Sequence, residues 1–231
     1  VRAVMMPFRY TSTISQEDAA LQAETMGFRY DVVPIAPIYD ATVRQLDPIF
    51  SGREADVTEE NIQARCRGMI LMALSNKTGR MLMTTGNKSE MAVGSATLYG
   101  DMAGGFAPIK DCYKSLVYRL ARYRNSLGDA IPERVITREP SAELRPGQKD
   151  SDSLPDYSVL DPILEAFIEK DMSVDEITAL GFERATVVRV LQMVKHNEYT
   201  RRQAPPGIRI SSRAFGRDWR YPITSWYRFP G

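Results

Sequence analysis

Three short apolar stretches, Val1 to Met6, Phe28 to Ile35 and Met81 to Thr85, alternate along this chain with segments long enough to hold a helix. Neighbouring parallel strands need a crossover of a dozen or more residues, usually helical, whereas antiparallel strands close through tight turns. The order strand, helix, strand, helix, strand therefore predicts an α/β fold: a parallel sheet with helices on both faces and right-handed crossovers. Ser15 with Asp18 three residues on forms a capping-box-like start, Ala19, Leu21, Ala23 and Met26 follow at roughly helical spacing, and Gly27 supplies a stop. Pro34 and Pro37 end the second strand. Thr58 starts a long helix whose stripe of Ile62, Cys66, Met69, Ile70, Ala73 and Leu74 runs to about Lys77. Between Arg44 and Arg53 no structural signal is legible.

Beyond Thr85 the pattern predicts a short helix from about Ser89, the glycine-rich loop YGDMAGG, an amphipathic helix from about Asp111 to Leu127 and a short strand at Arg134 to Arg138. Residues 139–158, rich in Pro, Ser, Asp and Gly, read as a long loop. Residues 159–231 form a helical region, with Gly181 separating two helices, and a basic-aromatic tail.

At 231 residues, 43% apolar and 26% charged, the composition is that of a soluble globular domain, and no apolar run approaches the span of a bilayer. The two cysteines, Cys66 and Cys112, are too far apart for a CxxC pair, and no disulfide framework is available, which points to a cytoplasmic setting. The single histidine, His196, excludes a zinc site built on several imidazoles and is the one residue through which a Ser-His-Asp triad would run. The chain opens on a strand already under way with no initiator Met, which predicts further chain upstream. Its net charge of +1 is unevenly spread: from Lys195 onward eight Lys or Arg face Glu198 and Asp218, a local balance of +6. A basic end on a near-neutral body predicts an anionic ligand held at one place, and neither nucleic acid nor a membrane as partner.

In open α/β sheets, ligands bind beyond the carboxyl ends of the strands. Thr84, Thr85 and Gly86 lie at such an end, where a hydroxyl and unpaired amides suit a phosphate, although an ordinary βα turn reads the same way. Glu90 serves either as a first-turn cap or as a hard oxygen ligand for Mg²⁺ against phosphate. Asp101, in the glycine-rich loop, is a second candidate oxygen ligand, for that centre or for a ribose hydroxyl. Lys110 and Lys114 stand at the start of a helix, where the dipole disfavours cations; a bound anion or simple solvation accounts for them. Asn61 and Arg65 share a helix face at i, i+4 spacing, so they can grip one substrate or merely face solvent. In the tail, arginines interleave with Tyr199, Phe215, Trp219, Tyr221, Trp226 and Tyr227, which suits stacked bases and phosphates or a subunit interface.

The run TTGNKSEMAVGSATLYGDMAGGFAPIKDCYK, Thr84 to Lys114, resembles the synthetase domain of NAD⁺ synthetases of the glutamine-dependent, two-domain type. Glu60 to Asn76, Arg138 to Tyr157 and Asn197 to Thr224 extend the resemblance over essentially the whole chain, as one incomplete domain over 1–231. It implies a Rossmann-like, adenine-nucleotide-hydrolase-type fold and an amide-forming ligase: Mg-ATP adenylates deamido-NAD, pyrophosphate leaves, and ammonia displaces AMP to give NAD⁺. It further implies ATP contacts at Thr85, Lys114 and Ser141, a dinucleotide site at Asn61, Arg65, Glu90, Asp101, Arg201 and Arg202, and Mg²⁺ at Glu90. The partners implied are a nitrilase-like glutaminase domain of the parent chain and a second copy in a homo-oligomer.

The chain departs from that pattern in three ways. The SGG-x-DS pyrophosphate loop is absent, the glutaminase domain is absent, and Thr200 stands where a basic residue follows NEY, so Arg201 or Arg202 has to meet the dinucleotide. The resemblance also places a missing central strand between Val1 to Met6 and Met81 to Thr85. Unpaired ladder groups on either side then predict that the chain by itself is unstable and inactive. Two other readings are a non-catalytic nucleotide-binding or dimerisation module and, more weakly, an ATP-dependent tRNA-modifying relative, which would need paired catalytic cysteines.

Overall fold

A computed structural model describes residues 1–230. The chain divides into two compact units, Val1–Thr78 with Tyr118–Ser153, and Gly79–Val117 with the residues from Leu154 onward.

The first unit carries the sheet. Strands β1 (Arg2–Met5) and β2 (Arg29–Val32) pair in parallel with Arg2 opposite Arg29 and Met5 opposite Val32. The Arg2 guanidinium bonds the Asp31 carboxylate at 2.6 Å across that pair. Helix α1 (Thr13–Thr25) supplies the crossover, and its N-cap is Ser12, whose hydroxyl accepts from the Ser15 amide. Asp18 is therefore not a capping-box partner of Ser15. It is buried and takes the Arg134 guanidinium at 2.7 Å.

Helix α2 (Ala36–Phe50) fills the stretch that the sequence left blank, and helix α3 (Val57–Thr78) starts one turn-residue early because Asp56 caps it, accepting the Thr58 amide at 2.7 Å. Phe8, Ile35, Tyr39, Ile62 and Cys66 form the core of this unit.

Two expected strands are not formed. Arg134 to Arg138 lies in helix α6 (Glu133–Thr137): Pro132 presets its entry, Ile136 alone is buried, and Arg134 is held by Asp18. Met81 to Thr85, in the second unit, makes one isolated bridge, Met83 to Phe106, with the Thr84 amide on the Phe106 carbonyl at 2.9 Å. One bridge is not a ladder, so the sheet has two strands among the described residues.

The second unit is helical: α4 (Lys88–Val93), the start of α5 (Lys114–Ser126), α7 (Tyr157–Lys170), α8 (Val174–Ala179), α9 (Arg184–His196) and α10 (Glu198–Arg201). Leu160, Ile163, Leu164, Ile168, Ile177, Val187, Val190, Leu191 and Val194 are each fully buried, and Met91, Ala92 and Val93 of α4 join them. Helix α5 begins at Lys114 rather than at Asp111, because the Asp111 carboxylate is bound by the tail at Ile210 and Ser211. Gly181 parts α8 from α9, as its spacing predicts. Among the described residues no helix is long and apolar enough to cross a membrane.

Gly94 ends α4 in the left-handed region at φ 78°, and a Cβ there would lie 2.1 Å from the Asn197 side chain. That side chain donates to the Val93 carbonyl at 2.9 Å, tying α4 to the end of α9. Gly94→Ala is expected to destabilise the protein by about 1–3 kcal/mol, read as a lower denaturant midpoint at unchanged slope.

Candidate functional site

The site is built outward from the turn before α4. Asn87 and Glu90 cap each other: the Asn87 side chain accepts the Glu90 amide at 3.0 Å, and Glu90 Oε2 accepts the Asn87 amide at 3.1 Å. The remaining oxygen, Oε1, takes the Lys114 ammonium at 3.1 Å. Both readings of Glu90 thus meet in one carboxylate, a cap on one side and a charged partner on the other. Lys114 is set by its own helix start, where the Ser89 hydroxyl accepts its amide at 2.9 Å and the Asp161 carboxylate accepts the next amide, that of Ser115, at 2.8 Å. Its ammonium lies 5.5 Å above the Tyr157 ring.

Thr85 is exposed two residues ahead of that cap. Asp101 is exposed as a residue and accepts the Thr97 amide at 2.7 Å; desolvation around its carboxyl, with Glu90 close enough to repel it, raises it above the ordinary carboxylate range. Gly104 is required by close approach, since a Cβ there would meet Thr84 Cγ2 at 2.5 Å.

Sequence reasoning passed over the neighbouring Lys88. It is 0% exposed, and its ammonium lies 3.0 Å from both Asp111 and Glu169, 2.6 Å from the Ser211 hydroxyl and 2.8 Å from the Arg213 carbonyl. Burial pushes the Asp111 carboxyl up, but the amides of Ser211 and Ile210, the Ser211 hydroxyl and Lys88 together hold it below its usual range. Glu169 is lowered likewise: burial opposes, while Lys88, Ser212 and Tyr113 outweigh it.

Arg201 and Arg202 differ from one another. Arg201 is 4% exposed, and its guanidinium serves Glu198 and the carbonyls of Ala92 and Val194. Arg202 is exposed and pairs with the other Glu198 oxygen at 2.6 Å. The i, i+3 and i, i+4 spacing from Glu198 was the signal that could have found this.

The other expected residues belong to the first unit. Asn61 is half-buried and Arg65 exposed, one turn apart on α3. The Ser141 hydroxyl donates to the Gln148 carbonyl and accepts the Glu143 amide at 3.1 Å, so it shapes the loop of residues 139–158. Glu143 in turn bonds Arg138 at 2.6 Å. That loop contains one 3-10 turn, Asp150–Asp152, and gives way to α7 at Tyr157.

The family model for NAD synthase matches residues 1–204. The chain belongs to the NAD synthase family. Along 99% of its length it is 57% identical to a glutamine-dependent NAD(+) synthetase of Acinetobacter baylyi, and along 100% it is 53% identical to one of Thermotoga maritima. It spans only 42% and 40% of those two proteins. Among solved structures of this family, the glutamine-dependent NAD+ synthetase from Acinetobacter baumannii in complex with ADP is 51% identical, with a TM-score of 0.60 over 100% of this chain and 42% of its own. The NH3-dependent NAD synthetase from Campylobacter jejuni is 27% identical, with a TM-score of 0.68 over 86% of this chain and 74% of its own. The adenine-nucleotide-hydrolase-like fold class expected from the sequence is that of these neighbours, here with a two-stranded parallel sheet among the described residues.

The Lys88 cluster carries a stability prediction for this member of the family. Because the folded carboxyl values of Asp111 and Glu169 are depressed, their contribution is present above the ordinary carboxylate range and lost as pH falls through the lowered values. Lys88→Met strands both charges and is expected to cost about 3–5 kcal/mol in denaturant unfolding at neutral pH. In that variant the stranded carboxyls take up protons at higher pH than in the parent, so its stability deficit should shrink as pH falls.

Proposed function

We propose that the chain is the ligase portion of a glutamine-dependent NAD(+) synthetase, converting deamido-NAD to NAD with ATP and ammonia. The observation that carries the proposal is the identity of more than half to glutamine-dependent NAD(+) synthetases along essentially the whole chain. The half-buried Glu90–Lys114 pair supports it, because it places a cation and a hard oxygen donor side by side.

The reaction has two displacements. A carboxylate oxygen of deamido-NAD attacks the α-phosphorus of ATP, and pyrophosphate leaves with its electron pair. Ammonia then attacks the acyl carbon, AMP leaves, and a proton passes to solvent as the amide forms. Neither step needs a protein nucleophile, so positioning and charge neutralisation carry the rate. Lys114 is the residue for the phosphates of ATP, with the exposed Thr85 hydroxyl as a further donor and Ser141 assigned to the same nucleotide. Asn61 and Arg65 are assigned to the dinucleotide, together with Asp101 and the exposed Arg202; Arg201 acts through its grip on Glu198 and α4.

Magnesium binds through one or two carboxylates plus substrate phosphates, and Glu90 with Asp101 offers that donor set. When bound there, the ion would offset phosphate charge; Lys114 would then exchange part of its bond to Glu90 for phosphate oxygens. Ammonia is assigned to a glutaminase domain acting on glutamine, and the working form to an assembly of two or more copies in the cytoplasm.

The full-length protein of which this chain is the ligase portion, supplied with deamido-NAD, Mg-ATP and ammonium salt, is expected to form NAD, AMP and pyrophosphate in equal amounts, whereas the chain by itself is expected to form none. Lys114→Met should lower kcat/KM for ATP by about a hundredfold or more. Release of ADP in place of AMP, or full activity in the Lys114→Met protein, would overturn the assignment.

A further inference from the structure

One buried carboxylate holds the sequence neighbours of both members of the Glu90–Lys114 pair. Asp161, in the second turn of α7, is 4% exposed. Its Oδ1 accepts the Ser89 hydroxyl, and its Oδ2 accepts the Ser115 amide at 2.8 Å. Ser89, itself fully buried, stands directly before Glu90, and Ser115 directly after Lys114. The Ser89 oxygen also accepts the Lys114 amide at 2.9 Å, so α4, the start of α5 and α7 meet on a single side chain. All of these residues belong to the second unit.

Asp161 has little freedom to shift, because its neighbours on α7, Leu160, Ile163 and Leu164, are each fully buried. Both of its oxygens act as acceptors, and the partners named are neutral. A charge withdrawn from water and met only by neutral donors is costly, so a fold that needed shape alone at this point would be served by an uncharged side chain. What the charge does meet is the N-terminus of α5, which carries about half a positive charge. Lys114 adds a full positive charge at the same end, where the dipole disfavours it. Asp161 on the amide side and Glu90 on the ammonium side offset the two, and the pair is closed at 3.1 Å.

We infer that Asp161 is a positioning residue for the adenylation step, acting through Ser89 and the first turn of α5 to set where the Lys114 ammonium stands beside Glu90. The inference rests on the ligase reading above, in which Lys114 meets the phosphates of ATP. Asp161 needs no contact with substrate for this, since it grips the backbone on which Lys114 is mounted. A displacement of about 1 Å in a charge-neutralising group costs about a hundredfold in rate, so the spacing of two helix starts is enough to matter. A cap that merely stabilised α5 would change the unfolding temperature and leave turnover per folded molecule alone.

The test uses the full-length protein in a double-mutant cycle between Asp161→Asn and Lys114→Met. Asp161→Asn keeps the shape and removes the charge. Well below its unfolding transition it is expected to lower kcat/KM for ATP about tenfold in the parent, and by less than about twofold once residue 114 is already Met, because positioning then has nothing to act on. Ser89→Ala removes the bridging hydroxyl at smaller volume and should show the same dependence on Lys114; it carries the comparison should Asp161→Asn fail to fold. Calorimetric affinity for Mg-ATP gives a readout without turnover: about threefold weaker or more on Asp161→Asn in the parent, and unchanged on adding it to Lys114→Met. Loss by one factor in both backgrounds, which a purely structural cap produces, or undiminished kcat/KM in folded Asp161→Asn and Ser89→Ala proteins, would overturn the proposal. A parent that binds Mg-ATP and forms no NAD overturns the ligase reading alone, and the affinity cycle then still decides the role of Asp161.

Discussion

An ammonium group with no access to water organises the second unit. Removing a lysine from solvent costs several kcal/mol even after relaxation, so its partners have to be complete. For Lys88 they are: two carboxylates at 3.0 Å, a hydroxyl and a carbonyl, with the Tyr113 ring 4.9 Å away. These partners come from far apart in sequence, Asp111 ahead of α5, Glu169 at the end of α7, and Ser211 and Arg213 in the tail. One buried charge therefore fixes where α4 starts, where α5 can start and where the tail runs. Glu90 and Lys114 inherit their positions from that arrangement, the first through the Asn87 cap and the second through Ser89 and Asp161.

The sheet-forming segments at Val1 to Met6 and Phe28 to Ile35, the long helix from residue 57 and the helices parted at Gly181 were legible because apolar spacing and local stops agree there. Helix α2 was not. Pro34 and Pro37 end a strand, but a proline in the first turn also suits a helix start, and Pro37 occupies that position. The Val-Ile-Thr run at residues 135–137 looks like strand on propensity alone; Pro132 and the Arg134–Asp18 pair, which joins residues far apart in sequence, decide otherwise. Met81 to Thr85 has the composition of a strand and lacks the neighbours of one. Strand propensity expresses packing on a pleated surface, so a segment with a single bridge has nothing to express it against.

Around the site, local signals were readable and distant ones were not. The NKSE run encodes its own cap, Asn87 with Glu90, within four residues. Nothing nearby in sequence announces that Lys88 will be buried, because every charge that permits it lies beyond residue 110. The same limit applies to the aromatic tail. Its interleaved rings suggested stacking on bases, yet Trp219, Tyr221 and Phe229 pack around Phe167 of α7, with ring centroids 5.6–5.9 Å away. Those aromatics serve the fold.

The basic residues of the tail divide in the same way, and the division follows from where carboxylates are available. Arg201 and Arg202 share Glu198, Arg209 meets Asp218, and Arg213 is clamped by Asp171. Each of these pairs uses one of the few acids that reach the tail, so four cations, Lys195, Arg217, Arg220 and Arg228, have no carboxylate partner among the described residues. An excess of charge that the fold itself had use for would be paired; the pairing continues past residue 204 at Arg209 and Arg213 and stops short at the rest. A net charge of +6 on the tail thus overstates what is on offer to a ligand. Only the small remainder lacks a carboxylate, on a tail that the Lys88 cluster holds at Ile210, Ser211 and Arg213.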